Sequence, residues 1–389
     1  MLRFLTAGES HGRGLVVIVE GLPAGLPVVV EDVRRELARR RLGYGRGPRM
    51  RFEQDQVTIV GGVRHGRTLG APVAIEIANT EWSRSDKWHR EMAVEPGRTE
   101  HPLTQPRPGH ADLAGMQKYG LADARDVLER ASARETAARV AAGALAKSLL
   151  GELGVQIISH VVQIGPARSK ATDRPLPADL ERIDASSVRC FDDAAAAAMA
   201  EEIKAVASEG DSLGGVVEVL GYGVPVGWGS HVHWDRRLDG LLAQAMMSIH
   251  AVKGVEVGDG FELAGRPGSQ AHDAIAWDAD NAQYQRATAR AGGIEGGMSN
   301  GALVVCRMAM KPLATLNRPT LTTVDVVTKE EAVSFKERTD VTSVPAMGVV
   351  AETMMALVLA GEALRKHGGD SLAELQRNAN AFERSLRRD

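Results

Sequence analysis

The frame Gly-x-Ser-x-Gly, followed by a run rich in Val, Ile and Leu and then by a proline at a fixed offset, occurs three times in this chain. The copies are GESHGRGLVVIVEGLP from Gly8, GDSLGGVVEVLGYGVP from Gly210 and GMSNGALVVCRMAMKP from Gly297. A fainter copy, GRTLGAPVAIEI from Gly66, has threonine in place of serine and lacks the later proline. Copies of one length imply related β units, each entered through a turn that glycine makes accessible. The frame also matches the serine elbow of a hydrolase, but that elbow needs a strand before the serine and a helix after it. Here each serine precedes the strand run, so Ser10 reads as a turn residue and not as a nucleophile. Only the first copy holds a histidine, His11, between small neighbours that leave the imidazole accessible.

Periodicity and boundary residues predict helices near 31–41, 132–150, 193–208, 235–251 and 345–367. Strands follow one another near 15–30 and 57–78, and again near 215–226 and 303–310. This is not βαβ alternation; it predicts an α/β chain of the α+β kind, with antiparallel sheets packed on helices and two related halves in one sandwich. Segments 80–105, 165–185 and 265–285 are polar and rich in Pro, Asp or Gly, and read as loops or small insertions. At 389 residues the chain is read as one large two-lobed domain, 1–389. The apolar run AMGVVAETMMALVLAGEAL carries Glu352 and Glu362 and reads as a buried helix, and the N-terminus shows no signal-peptide pattern. Two cysteines, Cys190 and Cys306, build no disulfide framework or cysteine-based metal cluster, which fits a cytoplasmic protein.

A net charge of -3 and 4% aromatic residues give neither a wide basic face nor stacking platforms for nucleic acid, and no global attraction to a membrane. Anion binding must therefore be local. The stretch RRELARRRLGYGRGPRMR, from Arg34, places eight arginines on a helix and then on a glycine-rich loop. Arg34, Arg35 and Arg41 suit a solvated helix face, whereas Arg46 and Arg49 on the loop suit pairwise recognition of phosphate or carboxylate. In PRPGHADL, Pro106, Pro108 and Gly109 set Arg107 and His110 on a stiff loop. Ser132-x-x-Glu135 is a capping box, and Arg130 and Arg134 beside it reinforce an anion-attracting helix start. His231 and His233 share a strand face but lack a third ligand, so no metal site is expected.

Taken in order, GESHG, RRRLGYGRGPRM, RPGHAD, RASARETAARVAAG, HAVKG, GGIEGGMSNG, KPLAT and ERTD resemble the chorismate synthase family, from Met1 to about His367. The resemblance implies a homotetramer whose subunit packs helices between antiparallel sheets, and bound reduced FMN. It implies elimination of phosphate from 5-enolpyruvylshikimate 3-phosphate, with loss of a C6 hydrogen and no net redox change. Arg40, Arg46, Arg49, Arg107, Ser132, Arg134 and Arg338 would then meet the substrate's phosphate and carboxylates. His11 would be the acid for the leaving phosphate, His110 a donor beside the flavin, and Asp340 the group that deprotonates or orients the flavin atom taking up the C6 hydrogen. Flavin contacts would come from Arg130, Ala131, Ser132, His250, Ala251, Gly296, Lys311, Pro312, Leu313, Ala314, Thr315 and Arg338, with His250 standing where the family pattern has an amide. An outside flavin reductant is expected, and Arg40 and Arg46 are positioned to meet an NADPH phosphate. A related flavin lyase acting on another phosphorylated cyclohexene is the nearest alternative.

Overall fold

A computed structural model describes residues 1–47, 53–97, 99, 101–335 and 339–386. The alternating aliphatic runs of the N-terminal quarter form a four-stranded antiparallel sheet. Its strands are β1 (Arg3–Gly8), β2 (Gly14–Glu20), β3 (Gln56–Gly61) and β4 (Val73–Ala78), in the order β1-β2-β4-β3. Along β2, Leu15, Val17 and Val19 are buried while Val16 and Ile18 face outward. Leu15 pairs with Gly8 on one side and Ile77 on the other, a register that a one-residue slip would invert.

A second antiparallel sheet contains β5 (Gln156–Ile164), β6 (Ala167–Arg168), β7 (Gly215–Tyr222), β8 (Val252–Val257) and β9 (Val304–Met310), in the order β8-β9-β7-β5-β6. The five helical predictions correspond to α1 (Val30–Arg40), α2 (Thr136–Gly151), α3 (Asp193–Glu209), α4 (Leu238–Met247) and α5 (Val344–His367). Helix α2 packs on β2, α5 packs on β5 and β7, and the two helices pack on each other. Alanine and glycine make that crossing close: a Cβ at Gly143 would sit 2.2 Å from Thr353 Cβ. Among the described residues, α5 is the helix long and apolar enough to cross a membrane, and it is buried in the protein core.

The recurring frame has a common backbone cause. Gly8, Gly210 and Gly297 have φ values of 99°, 77° and 84°, the left-handed region that favours glycine. Strands β2, β7 and β9 follow these turns. Ser10, Ser212 and Ser299 are all buried in them. Ser212 Oγ donates to the Leu313 carbonyl at 2.8 Å, and Ser299 Oγ accepts from the Trp228 amide at 2.9 Å.

Several boundaries differ from the sequence reading. The apolar run 15–30 is strand only to Glu20, because Gly21 adopts φ 93° and turns the chain toward α1. The helix expected from Ser132 begins only at Thr136, after a single 3₁₀ turn, and a separate helix, Arg125–Ala131, precedes it and stops at Ser132, whose backbone is extended. Helix 235–251 shortens to α4 after a 3₁₀ turn at Trp234–Arg236. The segments read as loops contain helices Asp86–Glu91 and Leu180–Ala185 and a hairpin of Ile275–Asp278 with Gln283–Arg286. Elements of four to six residues are too short to display a periodicity.

Candidate active site

A cleft of about 520 Å³ collects residues from ten segments, including the β1–β2 turn, the end of α1, the Arg107–His110 loop and the first turns of α2 and α5. Its volume lies in the ordinary range for small-molecule sites.

His11 enters it from the β1–β2 turn. Glu129, from the helix Arg125–Ala131, accepts from the His11 backbone amide at 2.9 Å and lies 2.9 and 3.0 Å from ring Nδ1 through its two oxygens. Glu81 Oε2 is 3.2 Å from Nε2. The ring stacks on Trp88, with centroids 3.8 Å apart and planes 13° from parallel. Burial alone would raise the Glu129 pKa, but the hydrogen bonds and charge of His11, with help from Arg125, hold it below the ordinary carboxylate value.

His110 enters from the stiff proline loop. Its Nδ1 hydrogen-bonds Asp112 Oδ1, which also accepts from Arg107 Nη2 at 3.1 Å. Arg107 Nε donates to Asp112 Oδ2 at 2.8 Å and Nη1 to Thr315 Oγ1 at 2.8 Å. Asp112 is wholly buried; desolvation pushes its pKa up, yet His110 and Arg107 hold it well below the usual carboxylate range. One carboxylate therefore orients both a histidine and a cation that line the cleft.

Arg40, at the end of α1, lines the cleft while Nε donates to Thr136 Oγ1 and Nη2 to the Ala133 carbonyl, both at 2.9 Å. Arg46 Nε lies 3.2 Å from Asp340 Oδ2. Asp340 also accepts from the Gly47 amide at 2.6 Å and the Ser343 hydroxyl at 2.8 Å. Among the described residues, Arg46 Nη1 and His250 Nδ1 are buried and have no hydrogen-bond partner. His250 is pushed down to about 4, chiefly by burial, so it is neutral near pH 7. Ser132 accepts from the Arg134 amide at 3.2 Å, half of the expected capping box; Glu135 turns instead to Thr6 Oγ1 at 2.7 Å and Arg139 Nε at 2.9 Å.

The cleft thus brings together His11, Arg40, Arg46, Arg107, His110, Ser132, Arg134, His250, Leu313, Ala314, Thr315 and Asp340. Arg134 lines the wall with its head turned behind it, bonding Asn79 Oδ1 at 3.0 Å and pairing with Asp55. The other described residues of the expected set lie outside the lining. Arg130 caps β1 through the carbonyls of Gly8 and Thr6 at 3.0 and 2.9 Å, and Ala131 follows it. Ala251 accepts from the Lys311 amide at 3.0 Å, Lys311 Nζ reaches the Gly109 carbonyl, and Pro312 is exposed. Gly296 occupies the turn between Ile294–Glu295 and Met298–Ser299. Arg49 and Arg338 lie outside the described residues.

Glu81, Lys87, Trp88, Asp112, Arg125 and Glu129 were not singled out from sequence. Trp88 had a signal, as one of five tryptophans in an aromatic-poor chain within a charged segment. Glu81 and Glu129 had none, because each acquires its role only by facing His11 from another segment, whereas Asp112 lies in the same loop as the His110 and Arg107 it contacts.

Residues 2–364 match the family described as chorismate synthase. The chorismate synthase of Micrococcus luteus is 58% identical over 395 residues, spanning 99% of this chain and 95% of that protein. That of Streptomyces coelicolor is 58% identical over 390 residues, 98% of each. A solved crystal structure of chorismate synthase is similar with a TM-score of 0.80 at 41% identity, covering 99% of this chain and 98% of the other.

Proposed function

This chain belongs to the chorismate synthase family, and from that premise we propose how the residues of its cleft divide the work. The chain is a lyase of aromatic amino-acid biosynthesis that acts on a small molecule and needs a reduced flavin. Its substrate, 5-enolpyruvylshikimate 3-phosphate, loses the phosphate through C–O cleavage and a hydrogen from C6, giving chorismate with no net redox change.

The residues present fit two anionic ligands. Among the described residues, Arg46 Nη1 is a buried donor without an acceptor and His250 Nδ1 a buried ring nitrogen without a partner, both at the cleft wall. FMN is the flavin of this reading; when bound and reduced, it lends electron density to the allylic system as phosphate departs. His250 and the Leu313–Thr315 segment would hold it, with Arg130, Ala131, Ala251, Gly296, Lys311, Pro312 and Arg338 as the wider contact set.

His11 gives its proton to the departing phosphate. Carboxylates accept and do not donate, so Glu129 at Nδ1 and Glu81 at Nε2 favour a ring protonated at both nitrogens. Arg40, Arg46 and Arg107, with Ser132 and with Arg49 and Arg338, meet and neutralise the phosphate and carboxylates, and Arg134 backs that wall through its own ion pair. His110, steadied by Asp112, keeps a proton at the flavin side. Asp340 sets Arg46 through their ion pair, and beside a bound flavin it would deprotonate or orient the atom facing the C6 hydrogen.

Further parts of the reading are a homotetramer, a two-lobed sandwich with related halves, a cytoplasmic location, and an external reductant or NADPH bound at Arg40 and Arg46. Self-association is supported by the outward face of the first sheet, where Leu5, Val16 and Ile18 are exposed.

The observation that carries the assignment is that His11 and His110, 99 positions apart in the numbering, line one cleft together with Arg40, Arg46 and Arg107. The test is anaerobic: protein, chemically reduced FMN and 5-enolpyruvylshikimate 3-phosphate are mixed, and chorismate absorbance and phosphate release are followed together. Equal amounts of both products, absent with oxidised FMN, are expected. No turnover by folded, FMN-bound protein would sink the reading.

A further inference from the structure

We propose that Glu129 is a positioning residue that acts through His11, fixing both the direction of the imidazole and its charge; this rests on the reading of His11 as the acid. Three contacts from one residue converge on the turn. The Glu129 carbonyl accepts from the Ser10 amide at 3.0 Å, and its carboxylate accepts from the His11 amide at 2.9 Å and meets ring Nδ1 with both oxygens. Backbone and side chain of His11 are thus tied to a single group on a neighbouring helix. That group is 3% exposed, so its charge acts with little screening.

The sign of the effect follows from chemistry. An ionised carboxylate only accepts, so a ring nitrogen facing it must carry hydrogen. Nδ1–H is therefore committed to Glu129. The charge of that carboxylate favours the imidazolium, which keeps a transferable proton on Nε2 at neutral pH. Trp88 stacked on the ring removes its rotational freedom.

The other charged groups around the ring do not share this role. Glu81 faces Nε2 at 3.2 Å and adds to the preference for the charged ring, but it contacts the atom that must release the proton. Arg125 lies 3.2 Å from Glu129 Oε1 and 3.8 Å from Glu91, and with Lys87 it flanks Trp88. These cations oppose the charged ring and leave Glu129 as the group that both points it and charges it. Glu9 lies on the same turn, with Oε2 toward Gly12.

The experiment compares the full-length protein with Glu129→Gln and Glu129→Asp. The His11 ring is followed by NMR titration of histidine-labelled protein, its signal assigned by absence in His11→Asn. Glu129→Gln is expected to lower the His11 titration midpoint by about one unit or more. It is expected to lower kcat on the order of 100-fold with KM within about twofold, and to move the alkaline limb of the kcat profile to lower pH. Glu129→Asp keeps the charge and is expected to restore the midpoint toward wild type. An unchanged His11 titration in Glu129→Gln overturns the proposal. A shifted titration in Glu129→Gln, with His11→Asn fully active, supports the positioning of the ring but overturns the acid assignment and with it any catalytic role for Glu129.

Discussion

Arg39 and Arg40 are neighbours at the end of α1, yet they belong to two different electrostatic regions. Arg39 points into the interior, where Glu36, Asp184 and Glu352 meet Arg39, Lys147 and Arg189. Three carboxylates balance three cations. Glu352, wholly buried, receives Arg39 Nη1 at 2.7 Å, Lys147 Nζ at 2.6 Å, Arg189 Nη2 at 3.1 Å and the Ser159 hydroxyl at 2.7 Å. Arg40 points into the cleft, whose described lining holds Arg40, Arg46, Lys87, Arg107, Arg125 and Arg134 against only Glu81 and Asp340. The interior cluster satisfies itself and needs no ligand, while the cleft fixes its cations through carboxylates set behind the wall, Asp112 for Arg107, Glu129 for Arg125 and Asp55 for Arg134, so that an anionic ligand would meet cations already held in place. Local composition would not separate them, since both draw on the same arginine-rich segment.

The sharpest break of this contrast is in the interior. Glu352→Ala would leave three cations facing no common carboxylate, at a cost of about 3–5 kcal/mol, read as a lower midpoint in denaturant unfolding. Acid probes the same group. Burial favours the neutral carboxyl, but Arg39, Lys147 and Arg189 hold its folded-state value well below 4.5. Its contribution is therefore complete above about pH 4.5 and is lost as pH falls toward the folded-state value, so Glu352→Gln should flatten the acid limb of a stability profile.

In the cleft the expected effects fall on turnover. His11→Ala should lower kcat by about 10²–10⁴-fold, measured by chorismate formation, and should also lower the unfolding midpoint, because buried Glu129 and Glu81 lose the imidazole they face. Arg46→Ala removes one charge-assisted donor worth about 1.5–3 kcal/mol, and should raise KM with little effect on stability. His250 tests the boundary between the regions, since its Nδ1 is buried yet has no hydrogen-bond partner among the described residues. Its folded-state value of about 4 lies below the ordinary 6.5, so its contribution is complete above about pH 6.5 and is lost as pH falls through 6.5 toward 4. His250→Gln should remove that slope, as read by thermal unfolding across this range. The smallest effect belongs to the turns: Ser299→Ala should cost about 1–2 kcal/mol and leave turnover intact, because that serine holds a turn outside the lining of the His11–His110 cleft.

Chain-local features were legible without coordinates. Left-handed glycines at Gly8, Gly210 and Gly297, the alternation that sets β2, and the apolar length of α5 all depend on residues a few positions apart, so sequence alone determined the turns, strands and long helices. It also supplied His11, His110 and the arginines as candidates, because the order of eight motifs is itself a sequence property. The partners were decided by the tertiary structure. Arg39 and Arg40 read alike until the pitch of α1 sends one toward Glu352, 313 positions away, and the other toward Thr136. Arg134 looked like a substrate cation until folding placed Asp55 behind it. Glu129 carried no signal, because the state of a histidine depends on charges within a few ångströms and long-range packing brings Glu129 to His11, whereas Asp112 lies two residues from His110 within one motif.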